Sequence, residues 1–117
     1  MQMMRDTVDR LEMVTEETFE DRVIRGSGPI VVEFMSYGCS HCRTLAPILE
    51  QAAKMVEAKE QIFMVNIAVD PELAERYSIQ GTPTFIMFLH GQGIGMIEGL
   101  KPDLSTVLAA VTQPYEH

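Results

Sequence analysis

Short apolar runs and longer stretches of helical spacing take turns along this chain. Leu11 to Val14 read as a short first strand. Thr15 is placed as the N-cap of a helix carrying Phe19, Val23 and Ile24 inward, with Glu16 and Glu17 favourable in its first turn. Gly26-Ser27-Gly28-Pro29 ends that helix as a breaker cluster. Ile30 to Ser36 follow as a strand whose continuous apolar run predicts burial on both faces. A long helical pattern then runs from Arg43 to Lys59, with Leu45, Ile48, Leu49, Ala52, Ala53, Met55 and Val56 on its apolar positions and Pro47 as a kink.

Ile62 to Val69 form another apolar strand. Asp70-Pro71 open a short helix, Glu72 to Tyr77. After Gly81-Thr82-Pro83, Thr84 to Leu89 and Ile94 to Glu98 read as a hairpin around His90-Gly91-Gln92-Gly93. Pro102 and Asp103 open a last helix through Val111. Met1 to Asp9 have no clear period, the pattern of a loosely ordered N-terminal extension. The order β-α-β-α-β-α-β-β-α predicts parallel pairs joined by right-handed crossovers, closed by an antiparallel hairpin. The fold class is therefore α/β, one domain over residues 1–117, with a mixed central sheet of four to five strands flanked by helices on both faces.

Composition adds limits. The chain has 117 residues and 46% hydrophobic content, enough for a core. A formal net charge of -8 argues against nucleic acid and anionic membranes as partners. No apolar run approaches a membrane span, and the N-terminal residues lack the apolar centre of a signal peptide. A cytoplasmic setting is the expectation.

The only two cysteines stand in Cys39-Ser40-His41-Cys42, where the apolar strand hands over to the long helix. With Cys39 as helix cap and Cys42 on the first turn, the two sulfurs face the same way and can close a small disulfide ring. Free N–H groups and the dipole at the helix start favour a thiolate on Cys39. A C-x-x-C in a βαβ context reads as a redox motif. Cys39, His41 and Cys42 are also metal-ligand types. A structural zinc needs four ligands, however, and His90 and His117 stand far off, so a metal site would require two chains and none is expected. Glu33 has apolar flanks on both sides and reads as a buried carboxyl. Met35, Met55, Met64 and Met87 read as core fillers.

Taken together, these features resemble the thioredoxin family over roughly Leu11 to Val111. The C-x-x-C follows an apolar strand with an acidic residue, Glu33, six positions before Cys39. Pro47 stands five positions after Cys42, Ile79-Gln80-Gly81-Thr82-Pro83-Thr84-Phe85 looks like the family's cis-proline loop, and Gly91 and Gly99 fall where the family has glycines. The chain departs from the family's usual Trp-Cys-Gly-Pro-Cys: it has Gly38 before Cys39 and no tryptophan, with Tyr37 as a partial stand-in. Glu33 replaces the family's buried aspartate, and Met64 and Ala68 replace its accompanying lysine and aspartate. His41 before the second cysteine is similar to the disulfide isomerases and periplasmic oxidants, which are more oxidising members.

The resemblance implies that Cys39 is the attacking thiolate and Cys42 the buried resolving thiol. It implies that Glu33 takes the Cys42 proton as general base and that a cis Thr82–Pro83 bond frees the Thr82 backbone to pair with an extended substrate segment. Tyr37, Gly38, Thr82, Pro83 and Gly99 form the substrate face. An imidazole of His41 next to Cys39 would favour the thiolate and make the pair more oxidising.

The expected activity is protein disulfide oxidoreduction, foremost as a disulfide reductase. An oxidant or isomerase, and a non-catalytic binding module or metal-carrying dimer, are the alternatives. No cofactor is implied beyond the redox-active Cys39–Cys42 disulfide. Expected partners are proteins bearing disulfides or thiols and a flavoprotein disulfide reductase, with the protein acting as a monomer.

Overall fold

A computed structural model describes residues 11–56 and 61–115. The expected N-terminal extension over residues 1–9, and the stretch of the long helix expected to reach Lys59, lie outside the described residues. Five strands, β1 (Leu11–Met13), β2 (Pro29–Met35), β3 (Gln61–Asn66), β4 (Thr84–Leu89) and β5 (Gln92–Glu98), form one sheet in the order β1-β3-β2-β4-β5. Three α-helices, α1 (Ser40–Met55), α2 (Pro71–Arg76) and α3 (Leu104–Thr112), pack on it.

β2 lies in the middle, parallel to β3 and antiparallel to β4. Its alternate residues feed two cores. Val31 belongs to the face covered by α1 and α3, with Leu45, Leu49, Ala52, Phe85 and Val107. Ile30, Val32 and Phe34 belong to the other face, with Phe19, Val23, Leu73, Ile86 and Phe88. On that second face Tyr77 stacks against Phe19, Phe34 and Phe88 at centroid separations of 5.7–6.0 Å, a range in which edge-on aromatic pairs attract.

Several elements differ from their expected form. Thr15 opens the coil without a side-chain cap: its hydroxyl faces the Thr18 hydroxyl at 3.4 Å, while its carbonyl accepts from Phe19 N–H at 2.9 Å; residues 16–18 turn, and the coil widens into a π-type segment, Glu20–Ile24. The widening shows in the bond from Arg25 N–H back to the Glu20 carbonyl, 2.8 Å. β3 stops at Asn66 although apolar letters continue to Val69. The Asn66 side chain accepts from Ala68 N–H at 3.0 Å, and its carbonyl accepts from Val69 and Asp70, an Asx turn that outcompetes the ladder.

The β3–β4 connection is not a parallel crossover, since β4 runs antiparallel to β2. A six-residue α2 spans only about 9 Å, too short to carry the chain back along a strand of about 20 Å. The β4–β5 turn is tighter than expected: His90 (φ 53°) and Gly91 (φ 82°) alone form it, the two positive dihedrals of a type I′ hairpin. Met55, expected in the core, is 55% exposed at the end of α1, beside rather than on the buried stripe of Leu45, Leu49, Ala52 and Ala53.

Candidate active site

β2 ends at Met35, and the chain turns through Ser36-Tyr37-Gly38 before α1 begins. Cys39 caps the helix with extended backbone angles, and its sulfur accepts the Cys42 amide at 3.1 Å. A helix start leaves such N–H groups without internal partners, so a sulfur placed there gains donors and the positive end of the dipole. Both cysteines are free thiols; Cys39 is partly exposed and Cys42 is buried.

That difference separates their acidities. Burial alone would raise the Cys39 pKa, but hydrogen bonds from the Cys42 thiol, the Thr82 side chain and the Cys42 and His41 backbone amides outweigh it and hold the thiol below its ordinary value. Burial pushes Cys42 up to about 11, helped by its hydrogen bond with Cys39 and by the nearby Glu33 charge. When protonated, Cys39 Sγ lies 3.6 Å from the Thr82 carbonyl, to which it donates.

Glu33 is buried, with 2% of its surface exposed, on the β2 face that lies under α1. Its Oε2 has no hydrogen-bond partner within the described residues. Loss of solvation, then repulsion from Cys39, raise its pKa to about 7. A buried acceptor without a donor costs on the order of 1–3 kcal/mol, so fold stability alone does not account for a carboxyl here.

The wall opposite Cys39 comes from the loop before β4. The Thr82–Pro83 bond is cis. Thr84 Oγ1 donates to the Gly81 carbonyl at 2.6 Å, and Gly99 N–H donates to the Pro83 carbonyl at 2.7 Å. These bonds hold the loop against the end of β5, where Gly99 has φ 76°. Between them lies a hollow of about 350 Å³ lined by Gln80, Gly81, Thr82, Pro83, Thr84, Glu98 and Gly99.

The structure brings Cys39, Cys42, Glu33 and Thr82 together, with Pro83 and Gly99 in the docking wall. Tyr37, just before the cysteines, is 67% exposed, and its carbonyl accepts from Arg43, while a side chain at Gly38 would meet open space. The His41 imidazole has a partner across the site. Its imidazole Nε2 lies 2.9 Å from the Leu100 carbonyl and must be the donor, since a carbonyl only accepts. The part of His41 that reaches Cys39 is its backbone N–H. Sequence reasoning missed the Leu100 carbonyl, a backbone atom, and did not place Glu98 on the lining of the hollow.

Among the described residues, no group of three His, Cys, Asp or Glu side chains is placed to hold a metal ion, and no helix is long and apolar enough to cross a membrane. The arrangement can hold one sulfur as a thiolate beside a docking wall, keep a second as a thiol beneath it, and offer a buried carboxyl near both.

Comparison with known proteins points the same way. A family model described as Thioredoxin matches residues 10–111. A thioredoxin from Rickettsia bellii is 37% identical over 79 residues, covering 68% of this chain and 75% of that one. A probable protein disulfide-isomerase A6 from Medicago sativa is 33% identical over 103 residues, 86% of this chain but only 28% of that longer protein. A mutant thioredoxin from Halobacterium salinarum superposes with a TM-score of 0.80 at 22% identity, covering 93% of this chain and 94% of its own.

Proposed function

The chain belongs to the thioredoxin family and is a thiol–disulfide oxidoreductase, and from that premise we propose that it works as a disulfide reductase with Cys39 as the attacking thiolate. The observation that carries this reading is the Cys42 amide held 3.1 Å from Cys39 Sγ at the start of α1. It gives one sulfur of the pair a stabilised negative charge and leaves the other a buried thiol.

In the proposed cycle the Cys39 thiolate attacks one sulfur of a substrate disulfide. The substrate S–S bond breaks, its second sulfur leaves as a thiolate, and a mixed disulfide joins Cys39 to the first. Forming that bond removes the Cys39 hydrogen bond that helps keep Cys42 protonated. Cys42 then gives its proton to the Glu33 carboxylate, attacks Cys39 Sγ and releases the substrate's first sulfur as a thiolate. Two electrons have passed to the substrate, whose thiolates take up two protons, and the protein is left with a Cys39–Cys42 disulfide. With a pKa of about 7, Glu33 is populated in both forms near neutral pH, the condition a proton relay needs.

Tyr37, Gly38, Thr82, Pro83 and Gly99 form the substrate face in this reading, with the Thr82 backbone pairing with an extended segment of the substrate. A monomer in the cytoplasm, re-reduced by a flavoprotein disulfide reductase, completes the cycle. The decisive experiment is insulin reduction with dithiothreitol as electron source. The wild type should accelerate it, Cys39→Ser should abolish the acceleration, and Cys42→Ser should accumulate mixed disulfides with its substrates. A Cys39→Ser protein that still accelerates the reaction would sink the assignment.

A further inference from the structure

The hollow under the docking loop, which shares Thr82 with the Cys39 contact, carries one charged side chain among its described lining residues, Glu98, which is exposed. No ion pair to Glu98 occurs among the described residues. Glu98 pairs across the sheet with Thr84, whose hydroxyl ties down the docking loop, and it directly precedes Gly99, whose N–H fixes that loop to β5. The Thr82 carbonyl, also in the wall, is 3.6 Å from the reactive sulfur. A substrate segment that pairs with the Thr82 backbone lies at the rim of this hollow, of which Glu98 is the charged lining.

The next residue on the same face of β5 is Met96, since side chains alternate along a strand. It is 47% exposed. Glu98 and Met96 thus offer a carboxylate and, about 7 Å away, an apolar patch. An arginine or lysine matches this pair: its methylene stem lies on apolar surface while its cationic head meets the acid.

We propose that the Glu98 hollow is a specificity site, selecting disulfides whose cysteine lies within a few residues of an arginine or lysine. The proposal rests on the reductase reading and names the substrate class of the same site. The net charge of -8 would also attract basic substrates from a distance, so the test must separate a local contact from the overall field.

Two disulfide peptides of equal length, one with arginine and one with glutamate flanking the cysteine, are compared by kcat/KM at low salt. Wild type should prefer the arginine peptide. Glu98→Gln should shrink the ratio about two- to five-fold, the range of an exposed ion pair, and Glu98→Lys should invert it. Asp21→Asn, a neutralisation of the same size on the π-type segment, should leave the ratio at the wild-type value. Unchanged ratios in both Glu98 variants overturn the proposal. So does a loss in Asp21→Asn equal to that in Glu98→Gln, which would assign the preference to net charge. If the wild type reduces neither peptide nor insulin, the reductase reading falls and takes this one with it.

Discussion

The His41 imidazole and the Leu100 carbonyl, 59 residues apart in the chain, meet at 2.9 Å. The bond ties the first turn of α1 to the segment after Gly99, so the sulfur and the far rim of its docking wall are fastened to each other. His41→Ala should cost about 1 kcal/mol of stability, the usual net worth of such a bond, and should raise KM for a protein disulfide. His41→Gln keeps a donor and should recover most of both losses. Equal urea midpoints for wild type and His41→Ala would show that the contact holds nothing.

Alkylation should find one acidic thiol. Hydrogen bonds at the helix start lower the Cys39 pKa, whereas burial raises that of Cys42 to about 11. Iodoacetamide titrated against pH should modify Cys39 with a midpoint below that of a free cysteine and leave Cys42 unmodified until strongly alkaline conditions. Peptide mapping that places the first label on Cys42 would reverse the assignment of roles.

Glu33 makes stability fall as pH rises. Its pKa moves from 4.5 to about 7 on folding, so between those values the native state binds more protons than the unfolded one. The stabilising contribution is complete below about pH 4.5 and is lost as the pH climbs through about 7, in total about 3 kcal/mol. Glu33→Leu should flatten that part of the curve, raise stability more at pH 8 than at pH 5, and slow resolution of the mixed disulfide. Denaturation midpoints at the two pH values test the first effect and stopped-flow release of the trapped substrate tests the second. A variant with the wild-type pH slope and the wild-type resolution rate would remove Glu33 from both accounts.

Gly91 is irreplaceable for two reasons at once. It sits at φ 82°, and a Cβ there would run into the carbonyl oxygen of Ile24. Gly91→Ala should therefore cost roughly 2 kcal/mol or more, measured by thermal or urea unfolding. Gly81→Ala is the contrast, because a Cβ at that position meets nothing within 4 Å. Equal losses in the two variants would contradict the packing described here.

What could be read from the letters were features carried by side chains near one another in sequence. Ile30 to Met35 announced a strand buried on both sides, and Cys39 and Cys42 announced a sulfur pair at a helix start. Where a polar group competes for the backbone, the letters misled. Asn66 ends β3 in the middle of an apolar run because its amide oxygen takes the Ala68 N–H, and the Thr15 hydroxyl faces the Thr18 hydroxyl instead of a backbone N–H. His41 stands on the first turn of α1, but its partner is a carbonyl, and a backbone atom leaves no mark in the sequence. Glu98 is only the last letter of a hairpin strand in the sequence, and the sheet is what sets it beside Thr84.

The strand order also divides the labour of the site. The sulfur pair hangs from β2, third of five strands and bonded on both sides, where backbone opening is rarest and amide exchange should be slowest. Glu98 belongs to β5, an edge strand that pairs with β4 alone among the described residues. Changes at that margin can alter which proteins dock while the strand under the sulfurs keeps its bonds. One lineage could thus acquire new clients through substitutions at positions such as Glu98 and Met96, generation after generation, without having to reinvent its chemistry.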